Sequence, residues 1–178
     1  MSRRGSRLSA SDWLAAGLDA ISETGPEALK AEPLAVRLNV SKGSFYWHFR
    51  DVPDFHARLL DVWEAETGSK LAALLAREEQ PAAQLRTLAQ ALTAPQASEP
   101  AIRNWAQNHP PAREAVERID QARLEALLAL LRASGIRNPE MARILYAAAV
   151  GMTQLGQAAP SDRTEAIGSM VDLVLALR

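Results

Sequence analysis

The sequence contains no cysteine, which removes disulfide bonds, thiolate metal sites and cysteine nucleophiles together. A cytoplasmic location is the expectation that fits. The longest strongly apolar stretch, around Ile144 to Met152, falls far short of the ~20 residues that a membrane-spanning helix needs. The N-terminal MSRRGSRLSASDW has arginines but no apolar segment behind them, so neither a secretory signal nor a membrane partner is expected, and the protein reads as soluble. Charge of one sign is lacking too. Twenty Lys and Arg face 21 Asp and Glu, a net charge of −1, which by itself selects no charged partner. His-Glu-x-x-His, Gly-x-Ser-x-Gly and phosphate-cradling glycine loops are absent, and His56 and His109 have no metal-ligand partner at useful spacing. The chain is not expected to be an enzyme or to carry a metal or cofactor.

Aromatic residues are scarce at 5%, yet Phe45, Tyr46, Trp47 and Phe49 crowd around His48, directly behind Ser41-Lys42-Gly43-Ser44. A buried strand would tolerate such a run, since aromatics favour strands. The surroundings argue for helices instead. Ala, Leu, Glu and Arg dominate over β-branched residues. Charge is also unevenly placed: up to Arg50 seven Lys and Arg oppose five Asp and Glu, while thirteen oppose sixteen in the remainder. A local basic surface is therefore compatible with an acidic whole.

Ser9 or Ser11 is placed to cap a helix carrying Trp13, Leu14, Leu18 and Ile21 on one face, stopped at Thr24-Gly25-Pro26. A second helix is expected from about Ala31, with Pro33 in its first turn and Leu34, Ala35 and Leu38 facing inward. Asn39 suits a left-handed turn and Ser41 a cap, so a short helix starting near Lys42 completes a helix-turn-helix. Within it Phe45 and Phe49, four residues apart, share the inward face. Asp51 reads as the cap of a long helix to about Glu79, with Pro53 in its first turn and Asp54 as capping partner. Further helices are expected at about 81–93, 98–107, 111–134, 139–158 and 162–177, with breaks at Ser134-Gly135 and Ala158-Ala159-Pro160. No repeat or Gly/Ser linker interrupts the series. The fold class is all-α: an N-terminal three-helix unit with a helix-turn-helix over residues 1–50, followed by a larger helical domain over 51–178.

Over about residues 9 to 60 the sequence resembles the TetR family of transcriptional regulators. The resemblance rests on the helix ending in Thr24-Gly25, on Leu34-Ala35, on Val40-Ser41-Lys42-Gly43-Ser44-Phe45-Tyr46, and on His48-Phe49 before a capped long helix. It implies a homodimeric, cytoplasmic, ligand-responsive DNA-binding regulator, a repressor that recognises a roughly palindromic stretch of double-stranded operator DNA. A short helix entering the major groove presents its N-terminal turn, where small residues permit close approach and free N–H groups meet phosphate. The implied DNA-binding residues are Lys30, Ser41, Lys42, Gly43, Ser44, Tyr46, Trp47 and His48, with the Arg3, Arg4, Arg7 arm as further phosphate candidates. At one position the sequence departs from the family: Val52 stands where many members carry lysine, and Arg50 is the nearest replacement.

Beyond residue 60 the resemblance is one of length and helicity. Two-fold recognition implies a self-complementary interface, assigned to Ala148, Gly151, Ile167, Met170, Val171 and Val174, with Gly156 and Leu177 on the same faces. The small-molecule effector is assigned a pocket among Trp63, Trp105, His109, Tyr146, Met152 and Gln154. The alternative reading is a helical adaptor or ligand-binding protein of the same fold without specific DNA binding.

Overall fold

The computed structural model describes residues 8–94, 98–155 and 159–176. The arginine arm at Arg3, Arg4 and Arg7, together with Gly156, Ala158 and Leu177, lies outside the described residues. Those described are helical, without a strand among them, and fall into two compact units, one within 1–65 and 96–116, the other within 66–95 and 117–178.

In the first unit, α1 (Ala10–Thr24) starts at a reciprocal cap. The Ser9 hydroxyl accepts from the Asp12 amide at 3.3 Å, and the Asp12 carboxylate accepts from the Ser9 amide at 2.7 Å. Two N–H groups that the helix cannot satisfy are thereby paired. Gly25, at φ 87°, ends the helix, and its amide donates back to the Ile21 carbonyl. A single 3-10 turn, Pro26–Ala28, leads to α2 (Ala31–Arg37), which buries Ala31, Leu34 and Ala35. Asn39 takes the expected left-handed conformation at φ 54°, and the Val40 amide closes the turn onto the Ala35 carbonyl at 3.0 Å. The short α3 (Lys42–Phe45) follows, with Ser41 at its N-cap. The Ser41 hydroxyl makes no capping bond; its carbonyl accepts from the Ser44 amide instead.

The long α4 (Val52–Leu75) starts at Asp51, whose carboxylate accepts from the Asp54 amide at 2.8 Å. The expected reciprocal bond is displaced by one residue, since the Asp54 carboxylate takes the amide of Arg50. Phe45 sits at the middle of the core, with ring centroids 5.4 Å from Trp13, 5.0 Å from Phe49 and 5.4 Å from Phe55. Gly17 permits α1 to approach α4: a Cβ there would lie 2.6 Å from Leu59 Cδ1 and 2.7 Å from Phe55 Cζ. The unit is completed by α6 (Glu99–Ala106) and the first turns of α7 (Pro110–Ala133).

The second unit takes the end of α4, α5 (Pro81–Thr93), most of α7, α8 (Glu140–Gln154) and α9 (Pro160–Leu175). Its core includes Leu85, Leu88, Leu127, Leu131, Leu145, Ile167, Val171 and Val174. Gly168 leaves room for Arg86 of α5, which pairs with Asp172 of α9. The long helix ends at Leu75, short of the expected Glu79. Acidic Glu78 and Glu79 oppose the negative end of the helix dipole, and the Gln84 amide closes the helix by donating to the carbonyls of Leu75 (2.8 Å) and Arg77 (3.2 Å). Gly135, at φ 89°, terminates α7 as its sequence predicts.

Candidate nucleic-acid interface

The aromatic run divides as its four-residue spacing predicts. Phe45 and Phe49 are 0% and 1% exposed, whereas Tyr46 and Trp47 are 51% and 77% exposed. Burying the two phenylalanines anchors α3; the residues between them must then turn outward. Ser41, Lys42 and Gly43 are exposed, and Ser44 and His48 are half-buried. All eight sequence-predicted DNA contacts therefore lie in the helix-turn-helix or at its threshold, with Lys30 exposed just before α2.

A groove of about 780 Å³ runs over this surface, lined by Lys30, Ala31, Glu32, Pro33, Val36, Lys42, Tyr46 and Val52. The structure thus adds Ala31, Glu32, Pro33 and Val36 to the surface named from sequence and places Val52 with them. The periodicity of α2 held the signal: with Leu34 and Ala35 inward, Pro33 and Val36 must face out, and Val36 is 76% exposed. Val52, where a lysine was expected, presents only apolar surface to the groove, and Arg50 is engaged with the Asp51 carboxylate at 3.3 Å.

Each cation from Lys30 to Arg58 has an intramolecular carboxylate partner. Lys30 pairs with Glu27 at 2.6 Å, Arg37 with Glu23 at 2.7 Å, Lys42 with Glu32 at 3.8 Å and Arg58 with Asp54 at 3.6 Å. The carboxyls of Glu23 and Glu27 are held below their ordinary range chiefly by hydrogen bonds from Arg37 and Lys30. Arg58 is a positioning residue not foreseen: its guanidinium donates to the His48 carbonyl at 3.2 Å and lies over the Phe49 ring. The i, i+4 spacing of Asp54 and Arg58 was the available clue.

The residues assigned to an effector pocket fall in both units. Trp63, Trp105 and His109 belong to the first; Tyr146, Met152 and Gln154 belong to the second. Trp105 and His109 are brought together, stacked with centroids 4.1 Å apart, and His56 meets both edge-on. The imidazoles have structural partners: His56 Nε2–H donates to the Leu29 carbonyl at 2.9 Å, and His109 Nδ1 accepts from the Ala112 amide at 3.2 Å, capping α7. Burial pushes both histidines below their ordinary pKa, with His56 adding to the effect on His109. Tyr146 is buried and donates to Asp120 at 2.6 Å, beside the buried Arg123. Met152 is half-buried and Gln154 exposed.

Of the residues assigned to a dimer face, Ile167, Val171 and Val174 are consumed in the core of their own unit. Ala148 and Met170 are half-buried and Gly151 is exposed. Their outward neighbours Ile144 and Leu173, which the sequence reading passed over, are 42% and 65% exposed. Among the described residues no group of three or more potential ligands could hold a metal, and no helix is long and apolar enough to cross a membrane.

Residues 14–51 match the bacterial regulatory proteins of the tetR family, which bears out the resemblance drawn from the sequence; that family is one of regulators, not enzymes. Two solved structures share the fold over nearly the whole chain. A transcriptional regulator from Rhodococcus sp. Rha1 is 23% identical, with 95% of this chain and 97% of that chain covered and a TM-score of 0.79. A protein from Rhodococcus sp. assigned to the TetR family of transcriptional regulators is 14% identical, with 93% and 98% covered and a TM-score of 0.74. Comparison with curated proteins finds no match.

Proposed function

We propose, with residues 14–51 as a tetR-family DNA-binding domain on an all-helical regulator fold, that this chain is a homodimeric transcriptional repressor of the cytoplasm, released from a roughly palindromic operator by a small molecule. The observation that carries the reading is the division of one aromatic run: Phe45 and Phe49 are wholly inside, while Tyr46 and Trp47 stand on the surface, Tyr46 in the groove with Lys42. Adjacent exposed rings beside the apolar Val36 and Val52 make the kind of contiguous patch that marks an interaction site. Placed in a major groove, the N-terminal turn of α3 offers Ser41, Lys42, Gly43 and Ser44 to phosphate and base edges, and Tyr46 a reach to phosphate or a thymine methyl.

Residues 1–50 serve as the DNA-binding domain in this reading and 51–178 as the regulatory one. Dimerisation uses the outward stripes of α8 and α9, where Ile144, Ala147, Ala148 and Gly151 recur at helical spacing, as do Met170 and Leu173. The buried Ile167, Val171 and Val174 support that face from behind. The effector is sought among Trp63, Trp105 and His109 of the first unit or among Tyr146, Met152 and Gln154 of the second, and α4, which supplies residues to both units, is the element whose two states it biases. The adaptor reading is supported by the pairing of each cation from Lys30 to Arg58 with a carboxylate. Footprinting on the DNA upstream of the gene decides between them: protection of an inverted repeat supports the regulator, and uniform weak protection supports the adaptor.

A further inference from the structure

The groove over the helix-turn-helix holds a carboxylate among its lysines. Glu32 lies in the first turn of α2, lines the groove with Lys30, Val36, Lys42 and Tyr46, and places Oε2 3.8 Å from Lys42 Nζ. Both partners are more than half exposed, at 75% for Glu32 and 56% for Lys42, so the attraction is weak and a phosphate can displace it. Lys30 also has a glutamate, but Glu27 lies outside the groove lining. A phosphate drawn to Lys42 therefore meets a carboxylate inside the groove, whereas the carboxylate beside Lys30 lies outside its lining.

Resting on the reading of this face as the DNA interface, we propose that Glu32 is a specificity-determining residue, which occupies Lys42 in the free protein and repels the backbone of arbitrary DNA. Like charges brought together at an interface act mainly against wrong partners. A duplex that offers the carboxylate a cytosine N4 amino group offsets the repulsion, because that amino group is the donor a glutamate can accept in the major groove. A duplex without it leaves the carboxylate facing phosphate. The groove thus discriminates by a penalty as well as by contacts, and Lys42 delivers its charge fully only where Glu32 is accommodated.

The test is binding of the full-length protein to a labelled duplex of mixed sequence, followed by fluorescence anisotropy across a salt series, with circular dichroism to verify folding. Glu32→Gln is expected to bind about three- to tenfold more tightly than the unaltered protein, with a salt slope steeper by about one unit as Lys42 gains its phosphate. Glu23→Gln, which removes a charge paired with Arg37 outside the groove, is expected to gain about twofold or less. In a Lys42→Ala background, Glu32→Gln should no longer steepen the slope. Equal gains for Glu23→Gln and Glu32→Gln would reduce the effect to net charge and overturn the proposal. Binding by the unaltered protein with no change in Glu32→Gln would overturn it while leaving the DNA reading intact. No binding by either protein at low salt would remove the DNA reading and the role of Glu32 with it.

Discussion

Phe45 and Tyr46 are consecutive residues whose rings meet edge-on, 5.3 Å apart, yet the first is fully buried and the second half exposed. Phe45→Ala would open a cavity amid Trp13, Phe49 and Phe55, at a cost of about 3–5 kcal/mol. Tyr46→Ala should change stability by about 0.5 kcal/mol or less, as surface substitutions do, and lower DNA affinity instead. Urea melts and DNA titrations on both variants measure the division. A Tyr46→Ala protein as destabilised as Phe45→Ala would return the whole run to the core.

Lys42→Ala should weaken binding to the operator, where Glu32 is accommodated, more than to arbitrary DNA, and flatten the salt dependence on the operator by about one unit, the signature of one lost phosphate contact. Folding should be unaffected, because the side chain is exposed and its ion pair weak. Unaltered affinity and slope would exclude Lys42 from the interface.

The histidine pair makes stability depend on pH in a definite direction. His56 and His109 start from an ordinary value of 6.5 and are both lowered in the folded chain. The folded state therefore binds fewer protons than the unfolded state as pH falls through that value, so their contribution is full above it and declines below. Protonating His109 also removes the Nδ1 acceptor that caps α7 and adds positive charge at a helix N-terminus. Melting temperature should fall between about pH 7 and pH 5, a window above that of the lowered carboxylates Glu23 and Glu27, whose ordinary value is 4.5. His109→Asn, which keeps a capping side chain without the titration, should flatten the decline; an unchanged profile in that variant would exclude His109 as its source.

Gly17→Ala sets two effects against each other. The helix gains about 0.8–1 kcal/mol in propensity, but the added Cβ meets Phe55 and Leu59 well inside contact distance, and overpacking costs about 1–3 kcal/mol. The expected outcome is a net loss of up to about 2 kcal/mol in a denaturant titration, the difference of those two. A stabilised variant would show that α1 and α4 separate without cost.

Leu173→Glu and Ile144→Glu should shift a dimer towards monomer in sedimentation velocity while leaving the helix content intact, because both side chains are exposed in the single chain. Ile167→Glu should unfold its unit instead, since it buries an unpaired charge. A dimer unaffected by both exposed substitutions would locate the interface elsewhere.

What the sequence disclosed and what it withheld follow from the range of the forces involved. The helix-turn-helix was legible because its signals are local: Ser9 for a cap, Asn39 for the left-handed turn, and a spacing of four from Phe45 to Phe49 for a common face. The assignments on α9 mixed two surfaces, since an apolar residue at helical spacing reads alike whether it joins the core of its own unit, as Ile167 does, or faces outward, as Leu173 does. The end of α4 was also hidden, because its cap comes from Gln84 on the next helix. Glu32 escaped notice for the same reason. Its place in the groove depends on how α2 packs beside α3, which periodicity along one helix does not encode.

The central claim is sequence-specific DNA recognition through α3, and the most direct measurement is fluorescence anisotropy with duplex DNA from upstream of the gene and a scrambled duplex of equal length, across a salt series. The account predicts that near physiological salt the upstream duplex binds at least about a thousandfold more tightly than the scrambled one, and that both affinities fall as salt rises. Equal, weak binding to the two duplexes at every salt concentration would contradict it.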